Sequence, residues 1–253
     1  MAEENCRFCD GTGWRPVVRG EVSGVERCLC NPSRGPARLL ESASIPPRFE
    51  QATFDNFDTR PENRIANEAL SKVWVDARAF VRQYPAVDKP GLILMGLPGV
   101  GKTHLAVAVL KGLLDKGFQG LFFDYRNLLD RIMSGWNESA GSSERGAYQA
   151  VMDAEVLLLD DLGAHRVIEW VEDTIFSIIN HRYNEKKATI VTTNLPDPDL
   201  GDVVASKNPA SGKYSVHDTL ADRIGARARS RLFEMCRLVR ITATEDYRLR
   251  GVR

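Results

Sequence analysis

The chain has 253 residues, with Lys plus Arg equal to Asp plus Glu at 34 each and 43% hydrophobic residues. That length holds one α/β domain of ordinary size and a small appendage, and the charge balance excludes a globally basic nucleic-acid-binding protein, so any such surface is local. The acidic start Met1–Asn5 carries no apolar signal region, and no apolar run approaches the roughly 18 residues of a membrane span, so a cytoplasmic protein without membrane contact is expected.

Four of the five cysteines fall near the N-terminus, as Cys6-x-x-Cys9 and Cys28-x-Cys30 with glycines between. In a cytosolic chain such a cluster points to metal rather than to disulfides. Four thiolates suit tetrahedral zinc, and a closed four-ligand site supplies folding energy to a piece too short to build its own core. The shorter second spacing keeps free or redox-active thiols open as the alternative. Asn31–Pro36 then reads as a connector, followed by a short helix from Ala37 to about Ser44. Ile45–Phe49 and Thr53–Phe57 read as an extended segment whose aromatic residues dock by plain packing. From Asn63 to about Tyr84 the apolar residues recur at helical period until Pro85.

The run Gly91–Met95 predicts a buried strand, and the apolar pattern Leu105–Leu114 predicts a helix. Between them stands Gly96-Leu97-Pro98-Gly99-Val100-Gly101-Lys102-Thr103, a phosphate-binding loop by spacing and context. Small residues let backbone N–H groups close around phosphate oxygens, lysine reaches the outer phosphates, a hydroxyl ligates Mg²⁺, and the helix N-terminus favours the anion. The nucleotide contacts expected are Gly96, Pro98, Gly99, Val100, Gly101, Lys102, Thr103 and His104. A second strand is expected at Gly120–Tyr125, a helix from Arg126, and a mobile loop at Gly135–Glu144. About 55 residues after the phosphate loop, Val156–Leu159 runs into Asp160-Asp161, a buried strand ending in acid where an α/β sheet exposes its ligand crevice. Asp160 is the expected Mg²⁺ partner together with Thr103, and Asp161 the group that orients or deprotonates the attacking water.

A helix is expected over Ile168–Tyr183 and a β-branched strand over Ala188–Thr193. The strand ends at Asn194, placed either to hydrogen-bond a γ-phosphate or lytic water or simply to begin the turn before Pro196. Gly201–Thr219 reads as an irregular loop. The last segment is rich in arginine rather than lysine, which suits forked recognition of phosphate. Arg227 and Arg231, four apart, share a helix face, as a finger reaching into a neighbour's nucleotide site requires. A strand at Leu238–Ile241 completes five, and Cys236 reads as a buried core thiol.

Taken together, Gly96–Thr103, Leu157–Asp161 with Leu162-Gly163, Thr192–Leu195 and Arg227–Leu232 resemble the AAA+ ATPases of the bacterial replicative helicase loaders, the DnaC/DnaI type. The resemblance runs from about Ile45 to the C-terminus and includes the Ile45–Phe49 lead-in and Glu245–Arg248. The chain is similar as well to IstB-type transposition helper ATPases, which share this core. The cysteine module favours the loader type, since some loaders carry a zinc-binding helicase-docking domain there. What the resemblance implies is an α/β fold with a central five-stranded parallel sheet flanked by helices and no C-terminal lid domain. It implies a zinc module at 1–36, a docking segment at 37–62 and an ATPase domain at 63–253.

It implies ATP, Mg²⁺ and Zn²⁺ as cofactors, Lys102, Asp160, Asp161 and Asn194 as catalytic groups, and Cys6, Cys9, Cys28 and Cys30 as zinc ligands. Arg231, with Arg227 as second candidate, is the arginine finger supplied by a neighbouring copy. The partners implied are a replicative DNA helicase, single-stranded DNA and the chain itself. Two departures stand out. Asp160-Asp161 replaces the usual Asp-Glu, which points to slow hydrolysis, and the chain closes soon after Arg248, which leaves a second-sensor role for that residue open. The competing readings are the transposition helper that recruits a transposase to DNA, and an adaptor that binds ATP without turning it over.

Overall fold

A computed structural model describes residues 6–10, 14–19, 22–28, 30, 36–135, 142–164, 169–207, 214–243 and 246–248. The N-terminal module is a hairpin of β1 (Trp14–Arg19) and β2 (Val22–Arg27), paired antiparallel from Trp14↔Arg27 to Arg19↔Val22. After α1 (Pro36–Ser42) a short 3₁₀ turn, Pro47–Phe49, leads to α2 (Arg64–Gln83). Asn63 caps α2, its side-chain oxygen accepting the Ala66 N–H at 3.1 Å, and Ala66, Leu70, Val73, Ala77 and Phe80 form its buried stripe. Full burial of each larger member of that stripe contributes about 1.5–3 kcal/mol.

The remaining elements alternate as a parallel α/β domain requires. They are β3 (Gly91–Gly96), α3 (Lys102–Asp115), β4 (Gly120–Asp124), α4 (Tyr125–Gly135), α5 (Ser142–Asp153), β5 (Val156–Asp160), α6 (Glu169–Asn184) and β6 (Ala188–Thr193). A small antiparallel pair follows, β7 (Ala205–Lys207) and β8 (Tyr214–Val216), then α7 (Leu220–Ile224), α8 (Ala226–Met235) and β9 (Cys236–Ile241). The main sheet has the order β4-β5-β6-β3-β9, and every pair in it is parallel. Its strands are buried on both faces. Leu92, Leu94, Phe122, Leu158 and Ile190 pack with α1, α2 and α3 on one side, while Ile93, Met95, Phe123, Leu157, Leu159 and Val191 pack with α4 to α8 on the other. Period-two alternation therefore feeds two separate apolar layers, which is why these strands read as continuous hydrophobic runs. No described helix is long and apolar enough to cross a membrane.

Two stretches differ from the sequence expectation. The mobile loop expected at Gly135–Glu144 is cut short at both ends: α4 extends through Gly135, and α5 opens at Ser142, where Ser142-Ser143-Glu144 is also a helix-starting sequence. Residues 136–141 lie outside the described residues. The expected loop at Gly201–Thr219 contains the β7–β8 pair, with Ala205 opposite Val216. Strands of three residues are too short to leave a periodic signature.

Candidate nucleotide-binding site

The chain doubles back at β3. Having made β3 and α3, it places β4 three positions away and returns through β5 and β6, so the carboxyl ends of β3, β5 and β6 bound the crevice where such sheets hold ligands. The phosphate loop spans the end of β3 and the start of α3. Gly99 at φ 73° and Gly101 at φ 96° adopt backbone conformations that side chains disfavour, and both are closely covered. A Cβ on Gly101 would stand 2.7 Å from Phe57 Cε2, and one on Gly99 would overlap the Asp246 carboxylate.

A cavity of about 570 Å³ opens over this loop, within the range of small-molecule sites. Pro98 through His104 form its floor, and Asp161 and Asn194 enter from the ends of β5 and β6. Lys102 is buried, and its Nζ donates to the Leu97 carbonyl at 2.8 Å. Burial pulls its pKa down, against the opposing fields of Asp161 and Asp160. Asp160 is also buried, and desolvation pushes its carboxyl up to about 6 despite hydrogen bonds from Thr192 and Thr103. Thr192 organises the acid pair, because its hydroxyl donates to Asp160 Oδ1 at 2.6 Å and accepts the Asp161 N–H at 2.9 Å. Asp161 itself sits at φ 54°, a strained turn that carries it away from the buried strand into the cavity.

The structure thus brings Pro98, Gly99, Val100, Gly101, Lys102, Thr103, His104, Asp161 and Asn194 to one cavity, with Asp160 behind them beside Thr103. Gly96 lines an adjoining open cleft, which meets the first at Asn194. Arg227 and Arg231 lie elsewhere: among the described residues α8 contributes nothing to the nucleotide cavity, and both arginines stack on α6.

Sequence reasoning missed much of the wall. Arg48, Phe49, Gln51, Ala52, Phe57, Asp58 and Arg60, from the docking segment 37–62 whose aromatics alone are expected to pack, line the cavity, and so do Tyr247 and Arg248, the residue whose second-sensor role the sequence leaves open. The segment is pinned by Trp74 Nε1, which donates to the Phe54 carbonyl at 2.8 Å, and by the His104 ring, which lies 2.8 Å from the Thr53 carbonyl oxygen and 5.4 Å from the Phe57 ring centroid. Tyr247 donates its backbone N–H to the Gly99 carbonyl at 3.0 Å, and this delivers Arg248 to the rim. Lys102, Arg48, Arg60 and Arg248 face the cavity with fewer carboxylates, which suits a polyanion. A buried aspartate raised by desolvation beside the Thr103 hydroxyl is also the hard-oxygen donor set that Mg²⁺ takes.

These features have counterparts in known proteins. Residues 32–250 match the family described as IstB-like ATP binding protein. The chain belongs to that family. Among relatives of the IstB-like chain, the replicative helicase loader DnaC of Escherichia coli K12 is 26% identical over 157 residues, 62% of this chain and 61% of that protein. The insertion sequence IS21 putative ATP-binding protein of Pseudomonas aeruginosa is 34% identical over 172 residues, 67% of this chain and 59% of that one. The matches thus span about three-fifths of the length of each relative. A crystal structure of the DnaC helicase loader superposes with a TM-score of 0.60 at 33% identity, covering 78% of this chain and all of that one.

The N-terminal cysteines form a second candidate site. Cys6, Cys9 and Cys28 are buried, and the four sulfurs, with that of Cys30, lie within 4.8 Å of one another. Cys6 Sγ stands 3.6 Å from Cys28 Sγ and Cys9 Sγ 3.5 Å from Cys30 Sγ. Tetrahedral zinc with Zn–S bonds of about 2.3 Å requires sulfurs roughly 3.8 Å apart, so the cluster fits that ion. A hydrogen bond from the Phe8 backbone N–H is the main cause that brings the Cys6 thiol down to about 7.

Proposed function

We propose that this cytosolic chain is an ATP-driven loader that delivers or remodels a ring-shaped replicative helicase on single-stranded DNA. One observation carries the two-copy part of the reading: the acid, lysine and asparagine of the nucleotide cavity stand in one place and the paired arginines of α8 in another, so in this reading a second copy completes the site. The kinship with helicase loaders supports the cellular role. In this reading Lys102 exchanges its Leu97 carbonyl for the outer phosphates of ATP, and backbone N–H groups of the phosphate loop hold their oxygens. Thr103 and Asp160 hold Mg²⁺, which when bound neutralises phosphate charge. Asp161 accepts a proton from the attacking water, and Asn194 fixes that water or the γ-phosphate. Arg231 of a neighbouring copy, assisted by Arg227, stabilises the charge of the transferring group, so loss of the γ-phosphate loosens the assembly. Residues 1–36 act as a zinc-stabilised helicase-docking module joined by residues 37–62 to the ATPase domain, 63–253.

Mixing two inactive variants tests this division. Lys102→Ala and Arg231→Ala each reduce phosphate release to near background, and mixing them restores part of it, because one supplies the finger and the other the phosphate loop. Background release in the parent and both variants would favour the ATP-binding adaptor instead. Removal of residues 1–36 is expected to abolish helicase capture while ATP binding persists, and unimpaired capture would sink the loader role. The 34% identity to the IS21 protein favours one second reading, a transposition helper. Assembly on duplex DNA with no helicase capture would select it.

A further inference from the structure

Three arginines of α8 are held in different ways. Arg229 forks onto the buried Asp197 carboxylate, with both contacts at 2.5 Å, and reaches Asp199 at 2.9 Å. It joins α8 to the turn after β6 and has its charge answered within the chain. Arg227 and Arg231 rest on an aromatic side chain of α6 instead. The Phe176 ring centroid lies 4.4 Å from Arg227 Cζ and 4.9 Å from Arg231 Cζ, and the Tyr183 ring lies 5.8 Å from Arg231 Cζ. Tyr183 is tied to α8 in turn, its hydroxyl donating to Glu234 Oε1 at 2.7 Å.

The spacing explains the match. Asp173, Phe176 and Tyr183 follow one another on one side of α6 at intervals of three and seven, and Arg227, Arg231 and Glu234 do so on α8 at four and three, so the two rows meet along packed helices. Among the described residues the arginine pair has one carboxylate contact, and it is loose, with Arg227 Nη2 3.9 Å from Asp173 Oδ1 and both side chains more than half exposed. Among the described residues Arg231 makes one long hydrogen bond, 3.4 Å to the Arg227 carbonyl, and its Nε is buried without a partner there. A guanidinium resting against a ring can still aim its terminal N–H groups at a phosphate, and the contact removes side-chain freedom that capture of a phosphate would otherwise have to remove.

We infer that Phe176, backed by Tyr183, is an aromatic seat that pre-orients Arg227 and Arg231 of one copy toward the nucleotide of a second copy. It is a positioning residue and does not touch the nucleotide. The inference rests on the trans-arginine reading above, and the experiment separates the two. Phosphate release is followed against protein concentration for the full-length parent, Phe176→Leu, Phe176→Tyr, Arg227→Ala and Arg231→Ala, with binding of a fluorescent ATP analogue and the thermal midpoint measured for each.

Leucine keeps the apolar bulk and removes the π face. Phe176→Leu is expected to lower maximal turnover about five- to tenfold, the scale of one partly desolvated cation–π contact, with analogue affinity and thermal midpoint unchanged. Phe176→Tyr restores most of the loss. Parental turnover in Phe176→Leu beside an inactive Arg231→Ala would overturn the seat and leave the trans arginine standing. Parental turnover in both arginine variants would overturn the trans arginine and the seat with it. A loss in Phe176→Leu that comes with a lower thermal midpoint and is not rescued by tyrosine would reduce Phe176 to packing.

Discussion

On the inner side of α6 the fully buried Arg182 guanidinium donates to the carbonyls of Val151 and Ala154, both at 2.9 Å, to Ala188 O at 2.5 Å and to Thr189 Oγ1 at 3.0 Å. On the outer side, Arg231 lies over Phe176 and Tyr183 with a single long hydrogen bond. The first arginine joins α5, α6 and β6 by donating to backbone carbonyls, and burial brings its pKa down to about 10. Among the described residues the second has that one hydrogen bond and otherwise rests on ring faces. An arginine bonded to several carbonyls inside the fold is structural; one resting on ring faces with one long hydrogen bond is the better placed of the two for binding.

The largest expected effect tests the inner side. Arg182→Met leaves the Val151, Ala154 and Ala188 carbonyls without their donor and is expected to cost about 3 kcal/mol, read as a lower denaturant midpoint at unchanged slope. Arg231→Met, by contrast, should shift that midpoint hardly at all, and equal losses in the two variants would erase the contrast between the two sides.

Asp160→Asn tests the cavity against the rest of the core. The folded-state pKa of Asp160, about 6, lies above its usual value, so ionising the buried carboxyl opposes folding. That opposition is absent well below pH 4, where both states are protonated, accumulates between about pH 4 and 6, and levels off above that on the order of 3 kcal/mol. In EDTA the asparagine variant should therefore match the parent near pH 4 and melt higher above pH 6, while losing Mg²⁺-dependent turnover. A stability gain independent of pH would show that desolvation of the carboxylate is not its cause.

The smallest effect concerns the bridge between the two acids. Thr192→Val preserves the branched shape but removes the donor to Asp160 and the acceptor of the Asp161 N–H. It is expected to cost about 1–2 kcal/mol in thermal unfolding and to slow phosphate release without changing nucleotide affinity. A loss of affinity would place Thr192 in binding rather than in orienting the acids.

Much of the fold was legible in the chain, because local rules act strongly on its elements. The inner strands β3, β5 and β6 are short runs whose burial on both faces leaves no exposed polar alternation, and the phosphate loop announces itself by the small residues its backbone needs. The cavity wall was less legible. Phe49 and Phe57 were read as packing residues, which they also are: they dock on the α1–α3 core layer and present another part of their surface to the cavity. Arg60 carries no motif, Arg48 and Arg248 lie in stretches that only the family resemblance singles out, and all three meet there because Trp74 and Gly99 anchor distant segments.

The sequence by itself determined the phosphate loop, the acid pair, the cysteine spacing and the helical face shared by Arg227 and Arg231, since each depends on residues close along the chain. Only the tertiary structure decided that Thr192 joins Asp160 to Asp161, that residues 48–60 wall the cavity, and that Phe176 underlies the arginine pair. Those contacts join residues tens of positions apart, and strand order and helix packing, rather than local preference, bring them within reach.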